Sequence, residues 1–492
     1  MKEKYNAIVV GAGVGGLCAA TLLGARMGGV LLLESEGQVG GKAAVATVDG
    51  VEMDTGPSVL TLPEVFDEVF ACAGMRREDQ LPLLAPSPNF RYLFDDGVEL
   101  DVHHQLDATL ASVRHALGSR ASTELASYLR YAQRIWEAAA PHFVFSAAPS
   151  LGQLLLGGLR AWSAVGRVDP LRTLSAAIDA QVSSPHLRRV LRRYATYNGS
   201  DARRAPATLG CIAHVELALG GYGVKGGMAQ LPRALARAAR EVGVDIQTQT
   251  RVARLQTSGG RITGVQLASG QIVCAPHVVM NGDVGSLTED FAPGAKAAST
   301  ARHSMSAYCG LLKANKAPQR APHTVVFPAD YEQEFSDIFD HNRVPDDPTL
   351  YLCSQGPCHG RSGWAAHEPL FCMINAPPVG PSFDGGDRPL LKSKIQHLLV
   401  SRGLGSLDDR LVWWRTPQEL AKRFPGSNGA LYGAASNNRT AAFARPNNRS
   451  SSLSGLYLAS GSAHPGGGLP MVAQSAKLAA RALLEDAVRG SA

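Results

Sequence analysis

At 492 residues, 45% hydrophobic and 18% charged, the chain is long enough for two or three domains with substantial cores. Its 52 glycines and 29 prolines favour a turn-rich enzyme folded around a cofactor over a helical scaffold. The net charge of +6 comes without a basic run longer than pairs such as Arg188-Arg189 and Arg192-Arg193, which argues against nucleic acid and for an anionic membrane surface. The opening Met1-Lys2-Glu3-Lys4 precedes an apolar run that is too short and too broken by glycines for a signal peptide, so a cytoplasmic protein is expected. No stretch reaches the roughly 18 uninterrupted apolar residues that a spanning helix requires.

Ala7-Ile8-Val9-Val10 reads as a strand that runs straight into Gly11-Ala12-Gly13-Val14-Gly15-Gly16-Leu17. Glycine permits the tight turn and lets the backbone touch phosphates, while the helix that follows offers unpaired N–H groups to negative charge. Residues 17–23 are apolar and alanine-rich, as a helix packed on a sheet should be. A second apolar run, 30–33, ends at Glu34, where an acidic side chain meets ribose hydroxyls. This is a dinucleotide site.

Gly40-Gly41-Lys42 then forms a loop, the alternating run 43–51 reads as one strand, and Asp54-Thr55-Gly56-Pro57 turns back toward the nucleotide. Residues 89–102 predict a hairpin turning at Asp96-Gly97. From about 105 to 210 the pattern is helical. It includes the apolar stretch 143–165, broken by Pro149, several glycines and Arg160, which is expected either to dip into a membrane or to wall an apolar cavity. The glycine-rich segment 220–228 leads into an amphipathic helix over 231–242, short strands follow between 244 and 273, and 278–282 returns to the sheet. Further strands are expected at 308–312 and 370–374, a last one at 456–460, and a small-residue helix over 472–484. Trp413-Trp414 is read mainly as core packing, with a tunnel wall as the alternative.

Eight cysteines are scattered, and only Cys353 and Cys358 lie close, with His359 beside them. Without a second pair they are read as buried reduced thiols, and no metal is expected. No Ser/His/Asp or Cys/His constellation stands out. The candidates for a proton acceptor are His464, beside the terminal glycines, and His214 with Glu216.

Two features favour flavin adenine dinucleotide (FAD) over a nicotinamide cofactor. The nucleotide half is interrupted by a long excursion and completed only by the last forty residues or so. The second glycine-rich junction, 461–472, lacks a second acidic ribose partner and makes a better lid than a second nucleotide site. A helix starting near Pro470 would aim its positive end at the flavin pyrimidine ring.

The segments GAGVGGL, Glu34, GGK and DTGPSVLT within 7–60, TYNGSDARRAPATL at 196–209, GGYGVKGGMAQLPRAL at 220–235 and LYLASGSAHPGGGLPMV at 456–472 together resemble the carotenoid desaturase family of flavoproteins, nearly end to end and in order. The ending HPGGGLPM is closer in look to the 1-hydroxycarotenoid 3,4-desaturases than to the phytoene desaturases. One departure is Lys42, where relatives place arginine; a phosphate contact survives that change, but bidentate geometry does not. The resemblance implies an α/β architecture: a discontinuous Rossmann-type FAD-binding domain (1–105, 220–290 and 441–492), a mixed-sheet substrate domain (291–440) and an inserted helical, membrane-facing region (106–219). It implies hydride transfer from an acyclic carotenoid to flavin, with FAD contacts at Gly11, Gly13, Val14, Gly15, Gly16, Glu34, Gly41, Lys42, Gly56, Pro57, Ser58, Val252, Gly461, Pro470, Met471 and Val472. A carotene lives in the bilayer, so peripheral attachment to the cytoplasmic membrane is expected, through 143–165 and the arginines between 160 and 193. A multi-step phytoene- or neurosporene-type desaturase, an amine oxidase of the same superfamily and a non-catalytic prenyl-binding escort protein remain as alternatives.

Overall fold

Ala7–Val10 carries no polar residue because both its faces are covered. In the computed structural model, which describes residues 2–147, 168–296, 302–316, 320–380, 383, 388–405, 410–438 and 445–490, this strand is the centre of a five-stranded parallel sheet. The order across the sheet is Leu456–Leu458, Val278–Met280, Ala7–Val10, Val30–Leu33 and Asp245–Gln247. Ala7 and Val9 pack toward the helices Val14–Met27, Gln230–Glu241 and Leu469–Gly490. Ile8 and Val10 pack toward a three-stranded antiparallel sheet, Val252–Ser258, Arg261–Leu267 and Ile272–Cys274. Each fully buried aliphatic side chain here contributes about 1.5–3 kcal/mol over its exposed state. Three stretches of sequence far apart thus build one α/β nucleotide-binding layer.

The second sheet has seven strands, ordered Arg410–Arg415, Ser306–Asn315, His367–Ala376, Leu350–Ser354, His323–Val326, Phe90–Leu93 and Glu99–Val102. It is mixed, with His323–Val326 parallel to Phe90–Leu93 and the other pairs antiparallel. The hairpin expected at 89–102 forms, but as the edge of this sheet. Grouping it with the first nucleotide segment, 1–105, therefore needs correcting. The reason is aromatic burial: Phe90 and Tyr92 are fully enclosed against the helical region.

The run 43–51 is also corrected. It is two strands, Val45–Val48 and Val51–Asp54, paired antiparallel. Asp49 and Gly50 turn between them with φ of 45° and 79°, a left-handed pair that Asp-Gly accepts readily.

The inserted region is helical, with Leu106–Leu117, Ser119–Ala139, Leu174–Asp179 and Pro185–Arg192. Most of the apolar stretch 143–165 lies outside the described residues. Among the described residues no helix is long and apolar enough to cross a membrane. Among the described arginines of the basic pairs at 188–193, each has partners within the protein. Arg189 pairs with Asp95 at 2.5 Å, Arg192 with Asp179 at 2.8 Å and Glu332 at 2.6 Å, and Arg188 with Asp179 at 3.2 Å. Arg193 is buried, its guanidinium 5.1–5.7 Å from the ring centres of Phe90, Tyr92 and Tyr197. Trp414 stacks on Tyr308 at 5.6 Å and Trp413 lies under Arg415, so this pair packs the sheet.

Candidate active site

A cavity of about 1070 Å³ opens at the C-terminal ends of the parallel strands and continues to the wall formed by the helical insertion. Pockets for one small ligand run about 300–1,000 Å³, so this one has room for a cofactor and part of a second molecule. Ligands in open α/β sheets bind at this end of the strands.

Of the residues expected at the cofactor, Gly11, Gly13, Val14, Glu34, Gly41, Lys42, Gly56, Pro57, Ser58, Val252, Gly461, Pro470, Met471 and Val472 line this cavity. Gly15 and Gly16 do not. They are packing positions: a Cβ on Gly15 would meet the Ala459 carbonyl oxygen at 2.6 Å and Val472 Cγ1 at 2.7 Å, and one on Gly16 would collide with the Gly11 carbonyl oxygen. Gly11 turns at φ +100°, a conformation that other residues avoid.

Glu34 is buried, and its carboxylate accepts the Ala12 N–H at 2.7 Å and the Glu36 N–H at 3.0 Å. The Ser35 hydroxyl donates to it as well at 3.2 Å, so of the roughly four acceptor positions of a carboxylate about one remains for a ribose hydroxyl. Lys42 departs from expectation. Its ammonium donates to the carbonyls of Leu431 at 2.7 Å and Ala430 at 3.2 Å, pinning a distant loop instead of reaching for phosphate. Enclosure by protein, with Arg415 adding to the effect against the attraction of Asp283, lowers its pKa to about 8.

Two arginines that sequence reasoning missed complete the cavity wall. Arg415 donates to the Thr55 carbonyl, while its Nε and Nη1 are buried without a hydrogen-bond partner. A desolvated guanidinium with open donors calls for an anionic or carbonyl-rich ligand. Arg445 is satisfied by the carbonyls of Tyr432, Gly461 and Ala434 and by Asn198, and burial lowers its pKa to about 10. Neither arginine sits in a local motif; each arrives from a remote strand or loop.

His464 lines the cavity, and its Nε2–H donates to the Ser146 carbonyl at 2.9 Å, which leaves Nδ1 as the lone-pair nitrogen. Burial lowers its pKa below the ordinary imidazole value; the Ser146 hydrogen bond opposes this and Arg445 adds to it. His214 does not line the cavity. On the turn Cys211–His214 it is Cys211, Ile212 and then Val215 that face inward, and His214 falls on another face. Glu216 is not its partner, accepting instead from the hydroxyls of Tyr194 at 2.9 Å and Tyr197. Cys353 and Cys358, read as plain buried thiols, have His323 beside them.

The glycine cradle, the placement of Glu34 and the open donors of Arg415 fit FAD, and this fold and site define an FAD-dependent oxidoreductase. The family described as flavin containing amine oxidoreductase matches residues 14–484. A hydroxyneurosporene desaturase of Rubrivivax gelatinosus is 34% identical over 98% of this chain and 94% of its own. One from Rhodobacter capsulatus is 32% identical over 99% of each. A putrescine oxidase solved with putrescine bound shares the fold, with a TM-score of 0.63 over 99% of each chain at 14% identity. The chain belongs to the flavin containing amine oxidoreductase family and, within it, to the carotenoid desaturases. Arg415→Met is expected to keep the apoprotein folded but weaken FAD binding by about tenfold to a hundredfold, the loss of one or two charge-assisted hydrogen bonds. Flavin titration of the apoprotein followed by fluorescence checks this.

Proposed function

We propose that the protein desaturates an acyclic carotenoid carrying a 1-hydroxyl group, at the 3,4-position, as a step of carotenoid biosynthesis. The observation that carries the reading is one continuous cavity that joins dinucleotide loops to an apolar wall of Trp136, Ala139, Phe143, Val144, Leu209 and Ile212. When bound, FAD supplies the acceptor for a hydride from an allylic C–H bond of the polyene. The protein's part is to hold a stiff hydrocarbon in place, exclude water and take one proton. His464 accepts that proton at Nδ1, its tautomer fixed by Ser146.

Toward the seven-stranded sheet the same cavity mixes apolar Phe371 and Met373 with polar groups. Tyr331, Thr349 and Asn375 line it with Arg193 and Tyr197, and the buried Tyr331 hydroxyl has no hydrogen-bond partner. A hydroxylated chain end supplies that partner, whereas a purely hydrocarbon end leaves it unmet at a cost of about 1–3 kcal/mol. Docking to the membrane is assigned to the apolar stretch 143–165, where Phe145 is exposed and Trp136 stands edge-on to it at 6.1 Å. Arg189 and Arg192 already hold ion-pair partners and Arg193 is buried, so apolar contact is given the larger share of the docking.

Expression in cells that make acyclic carotenes with and without a terminal hydroxyl, followed by pigment analysis, is expected to give new product from the hydroxylated precursors alone. Tyr331→Phe should shrink that preference by about tenfold. Conversion of colourless phytoene by the wild type overturns the assignment. His464→Ala is expected to keep FAD but lose at least about a hundredfold in turnover. Because burial lowers the pKa of His464, the wild-type rate should stay level through neutrality and fall only below the ordinary imidazole range; normal turnover in the variant removes the role. The protein should float with anionic liposomes and stay largely bound at raised salt, since apolar contact carries the docking. Recovery in the soluble fraction at every lipid composition rejects docking.

A further inference from the structure

Behind the cavity wall, and outside the chemistry described above, three side chains converge with no role in hydride transfer. His323 and Cys353 face each other across the antiparallel pair His323–Val326 and Leu350–Ser354, and Cys358 follows on the short turn Gln355–His359. One ligand atom from each lies within 4.8 Å of the others, and all three residues are fully buried. Cys358 Sγ is 3.3 Å from His323 Nε2. A tetrahedral zinc with Zn–S about 2.3 Å and Zn–N about 2.0 Å sets neighbouring S and N about 3.5 Å apart, so little movement is needed to seat one.

The surroundings are those of a ligand set. His323 Nδ1 is hydrogen-bonded to the Tyr351 hydroxyl at 2.8 Å, which leaves Nε2 to face the sulfurs, and its ring stacks on Phe90 at 4.6 Å. Metal-bound imidazoles are held through the other ring nitrogen in this way. His359 accepts the Val224 N–H at Nδ1, 3.1 Å away, so its Nε2 carries the proton; that nitrogen is buried without a hydrogen-bond partner and neighbours Cys353. An outer N–H of this kind suits a metal-bound thiolate. Gly223 belongs to the same arrangement, because a Cβ there would collide with the Cys358 carbonyl.

We propose that His323, Cys353 and Cys358 bind one zinc ion in a structural role. On binding, the two thiols release two protons and two S–Zn bonds form beside the N–Zn bond. The 2+ charge of the ion cancels two thiolates, so the interior receives a neutral unit instead of isolated charges. The Ser58 carbonyl oxygen, which accepts the Cys358 thiol at 3.8 Å, supplies the candidate fourth ligand. Since Ser58 also lines the cofactor cavity, the ion would fix the loop 56–58 from behind.

The test uses the FAD-loaded protein purified without chelators from zinc-supplemented cells, with zinc measured by mass spectrometry against flavin. About one zinc per FAD is expected, falling below about a tenth in Cys353→Ser and Cys358→Ser and unchanged in Cys274→Ser, which removes an exposed thiol. Should the first two variants fail to fold, cobalt exchange into the wild type gives an independent readout, with visible d–d bands and a thiolate-to-cobalt charge-transfer band in the near ultraviolet. Wild-type protein with less than about a tenth of an equivalent of zinc and no cobalt bands overturns the proposal, and so does a Cys353–Cys358 disulfide in the isolated protein.

Discussion

Three of the parallel strands end at one carboxamide. Asn281 donates its backbone N–H to Val10 at 2.9 Å, accepts the Gly13 N–H at Oδ1 at 3.0 Å and donates from Nδ2 to the Ala459 carbonyl at 2.5 Å. It thereby ties the loop after the first strand to the segment after the last. Gly13 and Gly15 have no side chain because this amide occupies the space: a Cβ on either would come within 2.6–2.7 Å of its Oδ1 or Nδ2. The close approach of the chain's two ends, the opening of the first helix and the floor of the cavity all depend on that knot. Leaving one of its buried partners unmet would cost about 1–3 kcal/mol.

Around this fixed point the cavity divides the work by polarity. The dinucleotide end is lined with glycine backbone and cations whose partners are mostly main-chain carbonyls. The far side is walled by aromatic and aliphatic side chains, with polar groups gathered on the sheet. The same fold in a putrescine oxidase shows that the frame alone does not choose the substrate. That choice lies in what the insertion and the seven-stranded sheet present to the cavity.

Much of the frame was legible because its signals are local. A strand, a glycine turn, a helix and an acidic residue follow within some thirty residues, and Asp96-Gly97 announces its hairpin. At Asp49-Gly50 the same dipeptide signal is masked, because the flanking alternation continues smoothly through it. Lys42, Arg415 and Asn281 were opaque for another reason: their partners lie between 178 and 389 residues away, and no spacing rule reaches that far. Gly15 and Gly16 carry a packing demand that the local motif does not announce, from Ala459 and Val472 at the first and from the Gly11 carbonyl at the second. His323 was invisible beside Cys353 until the strand register placed the two opposite each other. The basic pairs between 188 and 193 read as a surface charge since their acidic partners, Asp95, Asp179 and Glu332, are dispersed along the chain.

The order of synthesis acquires a meaning from the closing helix, Leu469–Gly490. Its opening residues, Leu469 to Val472, border the cofactor cavity, and the strand that precedes it, Leu456–Leu458, completes the parallel sheet. The dinucleotide site therefore cannot form until residues 456–472 have been translated, long after the glycine turn at 11–16. Until that segment docks and a cofactor binds, the fold lacks the stabilisation that ligand binding supplies and stands open to proteases and chaperones.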